Sequence, residues 1–188
     1  MNNAHAKKIL GLMFATMLVA VSVGCSKKAP QEAANKSEIP AAATAAVEAP
    51  KIYQEGVDAY QAGKFDVAAA KFKELADKGD ASAQFNLGSL YHQGQGVTQD
   101  DKQAALYFAK AAEQGHTDAM DNLGLRYAKG EGVEQDLVQA YKWFSIAGMR
   151  KNASAASNAK FALSKMTPEK IEQAQNQAKE WMEQHPKK

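Results

Sequence analysis

The chain has 188 residues, with 23 Lys and Arg against 21 Asp and Glu, so its formal net charge is +2. Lys7 and Lys8 precede a long uncharged stretch near the start; without these two, 21 basic and 21 acidic residues balance. A neutral chain offers no electrostatic footprint for nucleic acid or for an anionic membrane surface. The single cysteine, Cys25, excludes an intramolecular disulfide, so packing alone must stabilise the fold.

The first 24 residues are expected to form a signal peptide. Residues 9–23 carry no charge and follow the basic pair. Fifteen helical residues rise about 22 Å, which is short of the roughly 30 Å hydrocarbon core of a bilayer. A secretory signal therefore fits this stretch better than a membrane span.

The signal ends in Gly24-Cys25-Ser26, which resembles a bacterial lipoprotein signal. The resemblance implies cleavage before Cys25 and attachment of lipid to this residue, although Ser22 stands where such signals carry a larger aliphatic residue. It also implies that Ser26 favours delivery to the outer membrane, with the protein facing the periplasm. The alternative is an ordinary signal peptide in which Cys25 is incidental.

Residues 25–50 are interpreted as the lipidated cysteine followed by a disordered tether. The segment is rich in Ala, Glu, Lys and Pro, and its only large apolar residues are Ile39 and Val47. That is too little apolar surface to offset the entropy of ordering. A transient Ala-rich helix between Pro40 and Pro50 is the alternative.

Beyond the tether, one pattern occurs twice at an offset of 36 residues. The stretch 83–91, AQFNLGSLY, is answered by 119–127, AMDNLGLRY, and the stretch 94–97, GQGV, by 130–133, GEGV. A fixed period of this length indicates stacked repeats, in which one unit cannot bury its apolar face alone. Within each unit, apolar and small residues recur at helical spacing, which predicts two helices per unit.

Several residues of the unit have specific predicted roles. Gly88 and Gly124 are expected to let the second helix of the unit approach closely. Asp100 and Asp136 are placed to cap that second helix. The glycines of the intervening loop suit positive φ. Trp143 and Trp181 fall on inner faces and are expected in the core.

These residues resemble the Sel-1-like repeat, a relative of the tetratricopeptide repeat, over about residues 79–151. The resemblance implies an all-α fold, an α/α superhelical solenoid whose first helices line a concave surface that binds peptides or proteins. We expect a tetratricopeptide-like opening repeat at 51–80, Sel-1-like repeats at 81–116 and 117–152, and a degenerate repeat with a capping helix at 153–188. The capping helix is expected to begin at Thr167-Pro168-Glu169.

The sequence shows no catalytic constellation, and no enzyme activity, cofactor or metal site is predicted. The three histidines that follow the signal (His92, His116 and His185) lack metal-ligand spacing, and His116 is expected to be an exposed turn residue. The Gly-x-Gly loops lack the Lys-Ser/Thr partner of a phosphate loop.

The function expected is therefore a non-catalytic adaptor in the bacterial envelope that binds an envelope protein or peptide on its concave face, and a monomer is expected. A periplasmic cell-wall hydrolase or β-lactam-hydrolysing repeat protein is one alternative. A passive structural lipoprotein without a defined partner is another.

The candidate partner-binding residues are those that turn away from the second helix of each unit. This places Phe85, Ser89 and His92 in one unit and Asp121 and Leu125 in the next, with Ala128 extending the line. Phe85 and Leu125 would supply apolar contact, and the three polar side chains would hydrogen-bond an extended peptide. Alternatively, Phe85 and Leu125 only fill space between neighbouring first helices.

Overall fold

A computed structural model describes residues 41–186, with side chains from residue 48 onward. This part of the chain contains eight α-helices and no strand, which confirms the all-α repeat fold. The helices are α1 (Ala41–Gln61), α2 (Phe65–Asp77), α3 (Ala81–Gln93), α4 (Asp101–Glu113), α5 (Thr117–Lys129), α6 (Leu137–Met149), α7 (Ala153–Leu163) and α8 (Pro168–Gln184). The predicted signal peptide, Cys25 and the tether up to residue 40 lie outside the described residues.

Helix α1 begins earlier than the tether prediction allowed. It starts at Ala41 and runs through Pro50, so residues 41–50 are helical rather than part of a disordered tether. Pro50, inside this helix, has no backbone N–H and so removes one helical hydrogen bond. The preceding alanines are the strongest helix formers, which explains why a helix is compatible with this composition. No helix among residues 41–186 has the length and apolar character needed to cross a membrane.

The helix starts follow the 36-residue period. Asp80, His116 and Asn152 each accept a hydrogen bond from the backbone N–H three residues on, at the starts of α3, α5 and α7. Asp100 and Asp136 cap α4 and α6 as predicted. The three caps at positions 80, 116 and 152 show that α7 continues the register of the two repeats before it.

The start of α8 differs from the prediction in one respect. Pro168 occupies the first turn and Glu169 supplies the expected acid, but the Thr167 side chain makes no capping hydrogen bond. The Pro168 ring has already removed one of the free N–H groups at this helix start.

In each of the first three helix pairs, a glycine on the first helix lies against a phenylalanine ring on the second. A Cβ added to Gly88 would lie 3.0 Å from the Phe108 ring, and one added to Gly124 would lie 2.6 Å from the Phe144 ring. Gly56 and Phe72 repeat this contact between α1 and α2. The predicted close approach at Gly88 and Gly124 is therefore present, and it extends to the opening repeat.

The second glycine of each loop joins neighbouring repeats. Gly96 and Gly132 have φ of +69° and +75°, and a Cβ on either one would overlap backbone atoms at the start of the preceding even-numbered helix. For Gly96 these atoms belong to Phe65, and for Gly132 to Asp101. The loop glycines thus allow backbone-to-backbone docking between units, in addition to their positive φ.

The last two helices do not pair as the earlier ones do. Helices α7 and α8 both pack mainly against α6, so the degenerate repeat and the capping helix expected at 153–188 form a three-helix end with α6 and not a pair of their own. The Trp143 and Trp181 rings meet edge to face at 5.6 Å and are buried, as predicted for core residues. The Gln139 side chain donates to Gln177 at 3.0 Å, which adds a polar contact between α6 and α8.

Candidate functional site

The odd-numbered helices α1, α3, α5 and α7 are the first helices of successive units, and we call the surface they present the odd-helix face. A groove of about 420 Å³ lies on it between α1 and α3. The residues that line it are Tyr53, Val57, Tyr60 and Gln61 from α1, Phe72 from α2, and Phe85, Asn86, Ser89 and Gln93 from α3. The groove is therefore shared by two units, and four of its nine lining residues are aromatic.

Side-chain contacts hold this lining in place. The Tyr53 ring packs against Phe72 at 5.7 Å, and its hydroxyl accepts a hydrogen bond from Asn86 Nδ2 at 2.9 Å. Ser89 donates to the Phe85 carbonyl oxygen at 3.0 Å. Gln61 and Gln93 lie at the rim and are exposed, so their amide groups can donate to and accept from a bound chain.

Three of the predicted site residues lie on this surface. Phe85 and Ser89 line the groove and are half-buried. Leu125, one unit further along, is also half-buried and packs against the core, as does Ala128. Phe85 contacts the Phe108 ring at 5.8 Å, so it fills space between helices and contributes to the groove at the same time. The two interpretations of Phe85 are therefore compatible.

Asp121 does not belong to the candidate surface. Its side chain is buried, and its carboxylate accepts hydrogen bonds from Ser154 and, at 3.0 Å, from Asn158. Both donors lie on α7, so Asp121 joins α5 to the next unit. A buried carboxylate needs such partners because its desolvation is otherwise costly. Both oxygens are engaged on α7, and burial keeps them from a bound peptide.

Comparison with known proteins agrees with this repeat architecture. The Sel1 repeat family matches residues 81–116 and 117–152. The chain carries two Sel1 repeats. These ranges coincide with the boundaries expected from the 36-residue period, and repeats of this kind generally mediate protein–protein interaction. No curated protein matches the chain.

Two solved structures show how far the likeness extends. One is a protective antigen present in uropathogenic Escherichia coli strains that displays an SLR fold, with 34% identity and a TM-score of 0.70 over 75% of this chain. The other is a Sel1 repeat protein from Oxalobacter formigenes, with 29% identity and a TM-score of 0.57 over 69% of this chain. The chain spans 31% of the first protein and 54% of the second.

His92, at the end of the first helix of the first Sel1 repeat, is held in a charged cluster rather than presented to a partner. Its Nδ1 lies 3.0 Å from Asp101 and 3.0 Å from Arg126 Nη1. Arg126 is buried and forms ion pairs with Asp101 at 3.2 Å and Glu131 at 2.6 Å. The cluster joins the two Sel1 repeats, and His92 can offer a partner only the part of its ring that remains exposed.

His116 is also not the exposed turn residue that was expected. It is half-buried, its ring stacks on Phe85 at 4.7 Å, and its Nδ1 accepts from the Ala119 N–H at 3.3 Å. Burial lowers the pKa of the imidazole, and the nearby Asp118 carboxylate opposes this shift. The residue therefore caps the second Sel1 repeat and supports the floor of the groove at the same time.

We expect the free energy of unfolding to fall as the pH is lowered and His116 takes up a proton. Because the folded-state pKa is lowered, the unfolded chain takes up the proton more readily, so stability is complete above about pH 6.5 and declines below it. Protonation of Nδ1 would also remove the cap acceptor. In a His116→Asn variant, Asn can cap as Asn152 does, and melting temperatures from pH 7.5 to 5 should fall less than in the wild type. Equal losses in both proteins would refute this role.

Several groove residues were missed by sequence reasoning. Gly56 and Gly88 make equivalent contacts, so an offset of 32 residues relates α1 to α3. At this offset Tyr53 is the counterpart of Phe85, and Val57 is the counterpart of Ser89. This offset was available from the sequence. At the other end, the 36-residue offset places Phe161 of α7 in line with Leu125, and its side chain is 62% exposed.

Proposed function

We propose that this protein is a non-catalytic adaptor that binds an extended segment of a partner protein along the odd-helix face. The observation that carries the proposal is the preformed aromatic groove between α1 and α3. Pockets that combine an apolar base with a few polar groups at the rim are typical of binding sites. Here aromatic rings would accept an apolar side chain, while Asn86, Gln61 and Gln93 would bond the backbone of the bound segment.

A hydrolytic function receives less support from the groove. The polar residues that line the groove contribute hydroxyl and amide groups. No Asp, Glu, His, Lys or Arg is among the lining residues. General acid–base catalysis most often uses His, Asp, Glu or Lys within hydrogen-bond reach of the substrate, and the titratable groups of this lining are the phenols of Tyr53 and Tyr60, whose ordinary pKa is near 10. Ser89, the one aliphatic hydroxyl in the lining, donates to a backbone carbonyl and has no adjacent base in the groove.

Site-specific photocrosslinking in cells tests the binding proposal. A photoreactive phenylalanine derivative replaces Tyr60, which lines the groove and is 41% exposed, and in a matched control it replaces Leu106 of α4, which is 46% exposed. We expect a discrete adduct from position 60 and none from position 106. Adducts from position 106 alone, or from neither position, would contradict the proposal.

We also propose that Cys25 carries a lipid that anchors the protein in the bacterial envelope, with the outer membrane favoured and the repeats facing the periplasm. The support is the resemblance of Gly24-Cys25-Ser26 and the preceding apolar stretch to a lipoprotein signal. The anchor would be the protein's connection to the membrane, and the partner would be another envelope protein or peptide.

Replacing Cys25 with Ala tests the anchor. The variant lacks the thiol that accepts the lipid, so it should leave the membrane fraction and become soluble, while the wild type stays with membranes after a high-salt wash. A control substitution of the neighbouring Ser26 by Ala should retain the membrane location. A Cys25→Ala protein that remains with washed membranes would rule out lipidation.

A further inference from the structure

One residue of the α1–α3 groove is held in place by a histidine from the next unit. The Phe85 ring lines the groove and is half-buried, and the His116 imidazole stacks on that ring at 4.7 Å with an interplanar angle of 18°. Phe85 also contacts the Phe108 ring of α4 at 5.8 Å. Two rings from the following helices therefore fix the position of this groove residue, and one of the two can take up a proton.

The stack on Phe85 is particular to the cap of α5. Asp80 and Asn152 occupy the equivalent position in the neighbouring units and, like His116, accept from the backbone N–H three residues on. Their side chains have no ring to place on the preceding unit, and Asn152 instead donates to Asp118 at 3.2 Å. His116 therefore has a second contact in addition to the cap that all three share.

Protonation would act on both contacts of the imidazole. Nδ1 accepts from the Ala119 N–H at 3.3 Å through its lone pair, and a proton there would place two N–H groups against each other. A positive charge is also unfavourable at the start of α5, where the helix dipole is positive. The charged ring would therefore leave the cap, and Phe85 would lose the ring on which it stacks.

The groups around His116 act on its protonation in opposite directions. Burial disfavours the proton and lowers the pKa of the imidazole, whereas the carboxylates of Asp118 on α5 and Asp80 at the start of α3 favour it. An imidazolium is also attracted to a phenyl face, but this attraction does not restore the cap. Burial has the larger effect on the pKa, so the neutral ring is the form present near pH 7.

Two further charges lie at helix ends next to this residue. Arg150, at the end of α6, donates from Nη1 to the Gly115 carbonyl oxygen at 3.0 Å, which places a positive charge beside the neighbouring residue. Glu113, at the end of α4, accepts from Trp181 Nε1 at 2.7 Å. The first charge disfavours a proton on His116, and the second is engaged on α8.

We propose that His116 is a positioning residue for Phe85, and that the groove binds an apolar side chain most tightly while His116 is neutral. The proposal rests on the proposed function and adds a control of the same site by pH. With a neutral imidazole, Phe85 is ordered before the partner arrives, so binding does not have to order it. With a charged imidazole this support is lost. Binding therefore weakens as the pH falls and His116 takes up its proton.

Fluorine NMR tests the link between the two residues without a partner. In the purified Cys25→Ala protein, 4-fluorophenylalanine is placed at position 85, and its signal is followed from pH 7.5 to 5 together with the histidine imidazole signals, over the range in which circular dichroism shows full helix content. The fluorine signal should move with the midpoint of His116. It should not titrate in His116→Asn, which can cap as Asn152 does. In a control, His185→Asn, whose imidazole stacks on Trp181, it should titrate as in the wild type.

Binding is measured with N-acetylphenylalanine amide, an uncharged mimic of one apolar residue. The probe has no titrating group, so any pH dependence of its affinity belongs to the protein. The wild type should bind it about threefold to tenfold more weakly at pH 5 than at pH 7.5, which corresponds to the loss of one aromatic pair. His116→Asn should bind equally at both pH values. Because linkage is reciprocal, saturating probe should also lower the pH midpoint of His116.

Two results would overturn the proposal and leave groove binding intact: a fluorine signal that does not follow His116, or equal wild-type affinity at both pH values. Absence of any fluorine response to the probe at pH 7.5 would overturn it as well, because the groove would then not take an apolar side chain of this kind. The crosslinking result at position 60 would still decide the proposed function separately.

Discussion

Replacing Gly132 with Ala is expected to lower the free energy of unfolding by about 3 kcal/mol or more. The residue has a φ of +75°, and left-handed backbone costs a non-glycine residue roughly 1–2 kcal/mol. The new methyl would also overlap the Asp101 carbonyl, and because this neighbour is backbone it cannot rotate away. Overpacking of this kind typically adds ~1–3 kcal/mol. Urea denaturation of the purified domain measures the change.

Gly63 offers a matched control for this substitution. Its φ is +73°, but no atom lies within 4 Å of a Cβ placed there. Gly63→Ala should therefore cost only the backbone strain, about 1 kcal/mol after the gain from a less flexible unfolded chain. If both variants lose the same stability, the docking of the Gly132 loop on α4 contributes nothing beyond its φ.

Replacing Gly124 with Val is expected to destabilise the second Sel1 repeat by roughly 2–3 kcal/mol. A Cβ at this position would lie 2.6 Å from the Phe144 ring, and valine adds two further methyl groups. The helices α5 and α6 would have to separate or the ring would have to leave its rotamer, which is the usual cost of overpacking. The melting temperature and the urea midpoint should both fall.

A double-mutant cycle assigns this effect to the Gly124–Phe144 contact. Phe144→Leu alone opens a cavity and should destabilise the domain. In the double variant, leucine leaves room for the valine, so the combined loss should be smaller than the sum of the two single losses by 0.5 kcal/mol or more. Strict additivity would show that Gly124 is required for some reason other than the approach of Phe144.

The sequence was informative wherever structure depends on local spacing. The 36-residue period placed the caps Asp100 and Asp136, the loop glycines and the close contacts at Gly88 and Gly124. Each of these features depends on residues within one unit, and their meaning follows from backbone geometry. The period also located Phe85 and Ser89 on the face that carries the groove.

Features that join units were harder to anticipate. Asp121 was assigned to the binding surface because the sequence does not reveal its hydrogen-bond partners. These partners, Ser154 and Asn158, lie 33 and 37 residues away on α7. Arg126 occupies the position of the buried Leu90 one repeat earlier, and periodicity does not reveal that it reaches Asp101 and Glu131. Such contacts depend on how one unit is placed against the next.

The ends of the array were the least predictable from pattern. Helix α8 carries apolar residues at helical spacing, which predicted a capping helix but not its main contact with α6. The start of helix α1 at Ala41 was hard to predict, because a short Ala-rich stretch is compatible with both helix and coil. At these positions composition alone does not choose between the alternatives.

The central claim is that a partner occupies the odd-helix face, and cysteine footprinting tests it most directly. In a Cys25→Ala background, single cysteines replace Tyr60, Leu125 or Phe161 on that face, and exposed Val67, Leu106 or Met149 on the even-numbered helices. Maleimide reaction rates are measured with and without the partner captured at position 60. We predict that the partner slows reaction at positions 60, 125 and 161 and leaves 67, 106 and 149 unchanged. Protection of the second set instead of the first would contradict the claim.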